Sequence, residues 1–225
     1  MQKLVVLLFA VLPFSLIAQT PAPAPAEKND PEAQKVLDKV RKKYETWKTI
    51  EVGFSLSIEV PGQAKTTEKG TVAQSGDKFR LEMKDQTIVS DGKTTWVYVR
   101  KNNEVQITDA EPGGENGAFL TPRDLLRRYQ KGDFLYAITD KVTEGGKQLT
   151  LIEFKPKDRK SEYSKLRVAI DEKAGQISYI KAFARDGSRY TFSLTRQTPN
   201  KTFTGNYFQM DTKQYPGARV EDLRM

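Results

Sequence analysis

Between Gln86 and Thr108 three β-prone runs are separated by two turn signals, and this stretch restricts the chain more than any other. Asp91-Gly92 is a strong two-residue hairpin signal, because a type I′ turn needs φ > 0 at both central residues. Asn102-Asn103 is a second signal, since Asn tolerates the left-handed region better than most residues. Between the turns Thr94, Trp96 and Tyr98 share one face, and Thr95, Val97 and Val99 share the other. A strand apolar or aromatic on both faces belongs inside a sheet. The stretch therefore predicts a meander anchored by Trp96 and Tyr98.

The same grammar recurs along the chain. Val52, Phe54, Leu56, Ile58 and Val60 alternate with Glu51, Gly53, Ser55, Ser57 and Glu59, and Pro61-Gly62 then turns the chain. Shorter alternating runs cover 70–74, 78–84, 148–154, 166–170, 177–183 and 190–194, with a last strand in the tail 207–224. Turn residues at 75–77, Gly145-Gly146, Ala174-Gly175 and Asp186-Gly187 separate them. Roughly ten strands joined by short turns predict a mainly β, antiparallel meander.

Two helices interrupt it. Asp30-Pro31 reads as an N-cap followed by proline at the first helical position. Ala33, Val36, Leu37, Val40, Tyr44 and Trp47 then recur at helical spacing, which predicts a helix to about Lys48. Lys35, Lys39, Arg41, Lys42 and Lys43 lie mostly off that stripe, as a solvated basic face or a docking face. Farther on, 111–117 is a Gly-rich loop, and Thr121-Pro122-Arg123-Asp124 opens a second helix with a capping box. Leu125, Leu126 and Tyr129 form its apolar face, and Gly132 stops it.

Residue types exclude much chemistry. The 225 residues contain no Cys and no His, so Ser-His and Cys-His nucleophile pairs and thiolate or imidazole metal sites are impossible. Paired carboxylates remain, but Asp91, Glu104 and Asp109 each read equally well as turn or surface residues. No cofactor, metal or enzymatic activity is expected. The N-terminus reads as a secretory signal peptide over 1–19: Lys3 is followed by the apolar run from Leu4 to Ile17, with Ala18 before the cleavage point. That run is too short for a comfortable membrane span. Without a Cys at the cleavage site the exported protein is expected to be soluble, unlipidated and periplasmic. Residues 20–30, begun by alternating Pro and Ala, read as a tether, and 31–225 as one domain. Cleavage removes Lys3 and lowers the formal charge from +8 to +7. A basic exported chain suggests acidic partners or anionic lipid headgroups. No aromatic-basic pattern for nucleic acid is present.

Two helices cannot blanket a flat sheet of that width, and strongly twisted sheets of about ten strands close, split or flatten. A curled sheet around an apolar hollow and a β-sandwich with a filled core both satisfy the pattern.

Four stretches, in order, resemble the periplasmic outer-membrane lipoprotein carrier proteins, the LolA family. Residues 89–98 (Val-Ser-Asp-Gly-Lys-Thr-Thr-Trp-Val-Tyr) resemble its signature hairpin, and 119–126 (Phe-Leu-Thr-Pro-Arg-Asp-Leu-Leu) its lid helix. Residues 166–194 resemble its late hairpins, and 215–222 its C-terminal Pro-Gly segment. The resemblance implies an unclosed β-barrel with a helical lid over an apolar cavity. It implies a monomer that takes acylated lipoproteins from an inner-membrane exporter and passes them to an outer-membrane acceptor. Tyr44, Trp47, Phe54, Leu56, Ile58, Trp96 and Tyr98 are then candidate cavity walls, with Leu120, Leu125 and Leu126 contributed by the lid. Members of the family latch the lid with an Arg where this chain has 74–77, Gln-Ser-Gly-Asp. Arg80 is the nearest substitute. A binding or sensor protein for other lipids on the same fold is the alternative.

Overall fold

The structure, a computed structural model, describes residues 28–110 and 121–224. The expected leader, most of the Pro/Ala tether, the Gly-rich loop and Leu120 lie outside the described residues.

Asp30 caps α1 (Pro31–Glu45), accepting from the Glu32 N–H at 2.8 Å, while Pro31 occupies a position that has no helical N–H to satisfy. The helix ends short of Lys48 because Thr46 folds back. Its hydroxyl donates to the Lys43 carbonyl at 2.7 Å, and its N–H donates there at 3.2 Å. Six strands follow: β1 (Thr49–Glu59), β2 (Thr66–Ser75), β3 (Lys78–Met83), β4 (Gln86–Ser90), β5 (Thr94–Val99) and β6 (Glu104–Asp109). After α2 (Pro122–Lys131) come β7 (Phe134–Glu144), β8 (Lys147–Pro156), β9 (Tyr163–Asp171), β10 (Gln176–Ala184), β11 (Arg189–Pro199) and β12 (Arg219–Asp222).

The twelve strands of the described residues form one sheet in the order β12-β6-β5-β4-β3-β2-β1-β11-β10-β9-β8-β7. Two meanders, β1 to β6 and β7 to β11, are joined by the antiparallel β1–β11 pair. The end strands β7 and β12 do not pair with each other, so the curled sheet is an unclosed barrel. Two details correct the expected antiparallel meander. β12 runs parallel to β6, because the tail after β11 crosses the outer face to reach the far edge. β7 escapes the alternation pattern, because its inward Phe134 and Tyr136 are followed by a register shift between Ile138 and Asp140 and a charged second half.

The turns follow their chemistry with one exchange. Gly145 and Gly146 have φ of 55° and 74°, which gives the left-handed pair a type I′ turn requires. Among the described residues of the Asp91-Gly92 turn only Gly92 has positive φ, so the expected type I′ geometry is not adopted there. Instead the Asp91 carboxylate accepts from the Lys93 and Thr94 N–H groups at 2.9 and 2.8 Å, which stabilises a side-chain turn. Asn103 does take the left-handed conformation, at φ 46°.

Both helices lie against the concave face. Ala33, Leu37, Val40 and Tyr44 of α1 and Leu125, Leu126 and Tyr129 of α2 join one core cluster with inward residues of the sheet. Phe54 passes directly over Gly70: a Cβ at Gly70 would sit 2.6 Å from Phe54 Cζ and 2.5 Å from the Glu82 carbonyl oxygen. Only glycine permits that approach. On the convex face Val89, Tyr98, Val105, Ile107 and Met210 form a separate cluster, flanked by Trp96, Tyr215 and Ala218.

Candidate functional site

The core fills only part of the concave face. Beyond the helices the C-terminal half of β1 meets β11, β10 and β9, with Leu56 opposite Phe192 and Ile58 opposite Tyr190. Across the next pairs Ile180 stands opposite Phe192, Ala182 opposite Tyr190, and Leu166 opposite Ala182. Directly opposed residues of neighbouring strands share a face, so these side chains pave one continuous inner wall. Ala182 and Ala184 are the small members of that pavement, and neither α1 nor α2 contributes to its lining. The result is an open hollow of about 560 Å³. Its walls are Leu56, Ile58, Leu166, Ile180, Ala182, Phe192 and the rings of Tyr163 and Tyr190, and its rim carries Lys160, Glu162, Arg185 and Asp186. Arg185 fixes part of this rim, donating to the Ser161 carbonyl at 2.8 Å and the Arg159 carbonyl at 3.1 Å. Burial raises the Tyr163 hydroxyl above its ordinary pKa, so it stays protonated and neutral at physiological pH. A larger hollow near the β7–β8 turn, about 850 Å³, is walled largely by polar and charged residues such as Lys141, Lys147, Asp171 and Glu172 and suits an apolar ligand poorly.

The helices are fastened at the other end of the sheet. The Tyr44 hydroxyl donates to Gln197 and accepts from the Ile177 N–H at 3.2 Å, and burial raises its pKa. In α2 the Thr121 hydroxyl accepts from the Asp124 N–H at 3.1 Å, while the Asp124 carboxylate accepts from the Thr121 N–H at 3.2 Å. Burial pushes the Asp124 carboxyl up, opposed by its bonds to Thr121 and by Arg127 at 3.0 Å. Arg123 Nη2 donates to the Trp47 carbonyl at 2.5 Å, and Tyr129 donates to Asp38 of α1 at 3.2 Å. A cleft of only about 10 Å³ remains between Tyr44, Gln74, Thr121 and Arg123, so this end is closed.

That closure differs from the latch implied by resemblance. Gln74 stands beside Arg123, so the fastening guanidinium comes from α2 itself. Arg80 does not substitute. It lies on the outer face, 2.7 Å from Glu82, with its guanidinium 5.5 Å from the Tyr207 ring centroid.

Of the residues singled out from the sequence, Leu56 and Ile58 line the hollow. Tyr44, Trp47, Phe54, Leu125 and Leu126 are buried in the core beside it. Leu120 lies outside the described residues. Trp96 and Tyr98 correct the expectation: they point to the convex face, where Tyr98 packs on Tyr215 with ring centroids 4.1 Å apart. Alternation placed them together on one face, but which face is the inner one depends on the curl of the sheet. Leu166, Ile180, Ala182, Tyr190 and Phe192 were legible only as strand residues and Tyr163 lay outside the predicted strands, because the long-range β1–β11 pair that completes the wall with Leu56 and Ile58 leaves no local signal.

These features define a class, an unclosed β-barrel whose helices cover part of the concave face and leave an apolar hollow. Within it, the model of the family described as "Outer membrane lipoprotein carrier protein LolA" matches residues 34–211, and the chain belongs to that family. The chain is 28% identical over 187 residues to the outer-membrane lipoprotein carrier protein of Albidiferax ferrireducens, covering 77% of this chain and 85% of that one. It is also 28% identical over 145 residues to an uncharacterized protein of Methanocaldococcus jannaschii, covering 64% of this chain and 42% of the other, so it spans less than half of that relative. In fold it resembles an uncharacterized conserved protein of Thermus thermophilus, with a TM-score of 0.55, 11% identity, and coverage of 85% of this chain and 99% of that one.

Proposed function

We propose that this protein is a soluble periplasmic carrier that shelters the acyl chains of lipoproteins between an inner-membrane exporter and an outer-membrane acceptor. It acts without a cofactor and is not an enzyme. The observation that carries the reading is the apolar hollow of about 560 Å³, within the roughly 300–1,000 Å³ range of small-molecule sites. Burying an acyl chain gains about 0.8 kcal/mol per CH₂, so a lipid anchor in aqueous transit needs such a wall. The partly open hollow supports release as well as capture. Membership of the lipoprotein-carrier family supports the cargo class.

Ala182→Trp tests the reading. The indole would project from the middle of the wall into space now empty. The variant is expected to keep its melting temperature and lose binding of a fluorescent triacylated lipopeptide. Equal binding by both proteins would remove the hollow as the acyl site. A wild type that takes up free fatty acid or phospholipid but not lipopeptide would favour the second reading, a carrier of other amphiphiles.

A further inference from the structure

The end of the sheet that holds the hollow also carries, on its convex side, a cluster that acyl sheltering leaves unused. Phe183 of β10 is only partly buried there. Four cations surround its ring: Lys165 Nζ lies 5.0 Å from the centroid, Arg167 Cζ 5.6 Å, Lys181 Nζ 5.6 Å and Arg189 Cζ 6.0 Å. The register accounts for the grouping, because Phe183 pairs with Lys165 on one side and Arg189 on the other, and Arg167 pairs with Lys181. Neutralisation is incomplete. Lys165 and Arg167 share the single carboxylate of Glu153, at 2.8 and 3.4 Å. Glu59 pairs with Lys65 at 3.2 Å and is the carboxylate that also faces Lys181 and Arg189. Gathering like charges around one ring costs self-repulsion that a filled anionic partner would remove.

We infer that this face, with the basic rim residues Lys160 and Arg185, docks the protein on an anionic phospholipid surface. Two observations favour a bilayer over an acidic protein. A partly exposed aromatic ring among cations matches the amphipathic chemistry of the headgroup layer. The same end of the sheet bears the mouth of the hollow, so docking there brings the cavity to the lipid. The cations and the Phe183 ring favour an anionic lipid surface by themselves, while the nearness of the hollow's mouth counts only under the acyl-carrier reading.

Flotation with vesicles free of lipoprotein tests the surface without testing the hollow. Phosphatidylglycerol-containing vesicles are expected to retain the full protein at low salt and release it at high salt, and pure phosphatidylcholine vesicles to retain none. Lys181→Glu with Arg189→Glu should weaken retention about twenty-five-fold or more, at about fivefold per cation removed near an anionic surface. A second pair, Lys35→Glu with Lys42→Glu, makes the same change in net charge on the exposed side of α1 and should leave retention intact. Circular dichroism melts confirm that both pairs fold. Equal loss in the two pairs would reduce the effect to net charge and overturn the inference. Absence of retention on anionic vesicles would overturn it too, as would retention by an immobilised acidic polypeptide with none by the vesicles.

Discussion

Gly70 and Asp30 show how single residues hold this fold. Phe54 occupies the space that any side chain at position 70 would need, and the Glu82 carbonyl blocks the alternative, so relief would have to come from the backbone. Gly70→Ala is expected to destabilise the protein by about 1–3 kcal/mol, the usual cost of overpacking, as read from denaturant melts. Asp30 acts through charge. Its carboxylate accepts from the Ile138 N–H of β7 at 3.1 Å as well as capping α1, and these bonds hold its pKa below 3.8. A carboxylate depressed in this way contributes stability that is present above its unfolded value and lost as pH falls through the folded one. Asp30→Asn should therefore lower the melting temperature at neutral pH, and its difference from wild type should shrink as the pH drops below about 4. A difference constant across that range would show that the cap works without its charge.

At the scale of elements, α2 combines a buried apolar side with a small set of polar fastenings, chiefly Arg123 to the Trp47 carbonyl and Tyr129 to Asp38. Gly132 ends it in the left-handed conformation at φ 80°, giving a compact joint to β7. A hydrogen bond from a charged group contributes about 1.5–3 kcal/mol. Arg123→Ala should accelerate amide exchange across Leu125 to Tyr129 about tenfold or more, with a much smaller effect on exchange in β8 and β9. Uniform acceleration across the protein would mean that α2 opens only with global unfolding.

Over the whole molecule, the two tryptophans report different places, and neither lies in the hollow. Trp47 is buried where α1 joins β1, and Trp96 faces the tail across the convex side. In a Trp47→Phe variant, saturating the hollow with lipopeptide should leave the emission of Trp96 unchanged, while removal of the tail after Met210 should shift it to the red. A Trp96 signal that follows lipopeptide instead would place acyl chains on the convex face.

Local chemistry was legible in the sequence. Asp30-Pro31, the Thr121–Asp124 capping box, Gly132 and Asn103 all take the conformations their side chains and φ preferences favour. The alternation of β1 also separated its inward Val52, Phe54, Leu56 and Ile58 from its outward residues, because side-chain direction in a strand has a fixed period. The mainly β class followed from these local rules, and the four family-like stretches identified the fold. The tertiary structure alone decided which face became the inside. Trp96 and Tyr98 have the same local pattern as Phe54 and Leu56, but the curl of the sheet turns them outward and the returning tail covers them. It also decided where the hollow lies. Successive hairpins bring Leu166, Ala182 and Phe192 together, but Leu56 reaches them only through the β1–β11 pair, whose energy comes from contacts no local window contains.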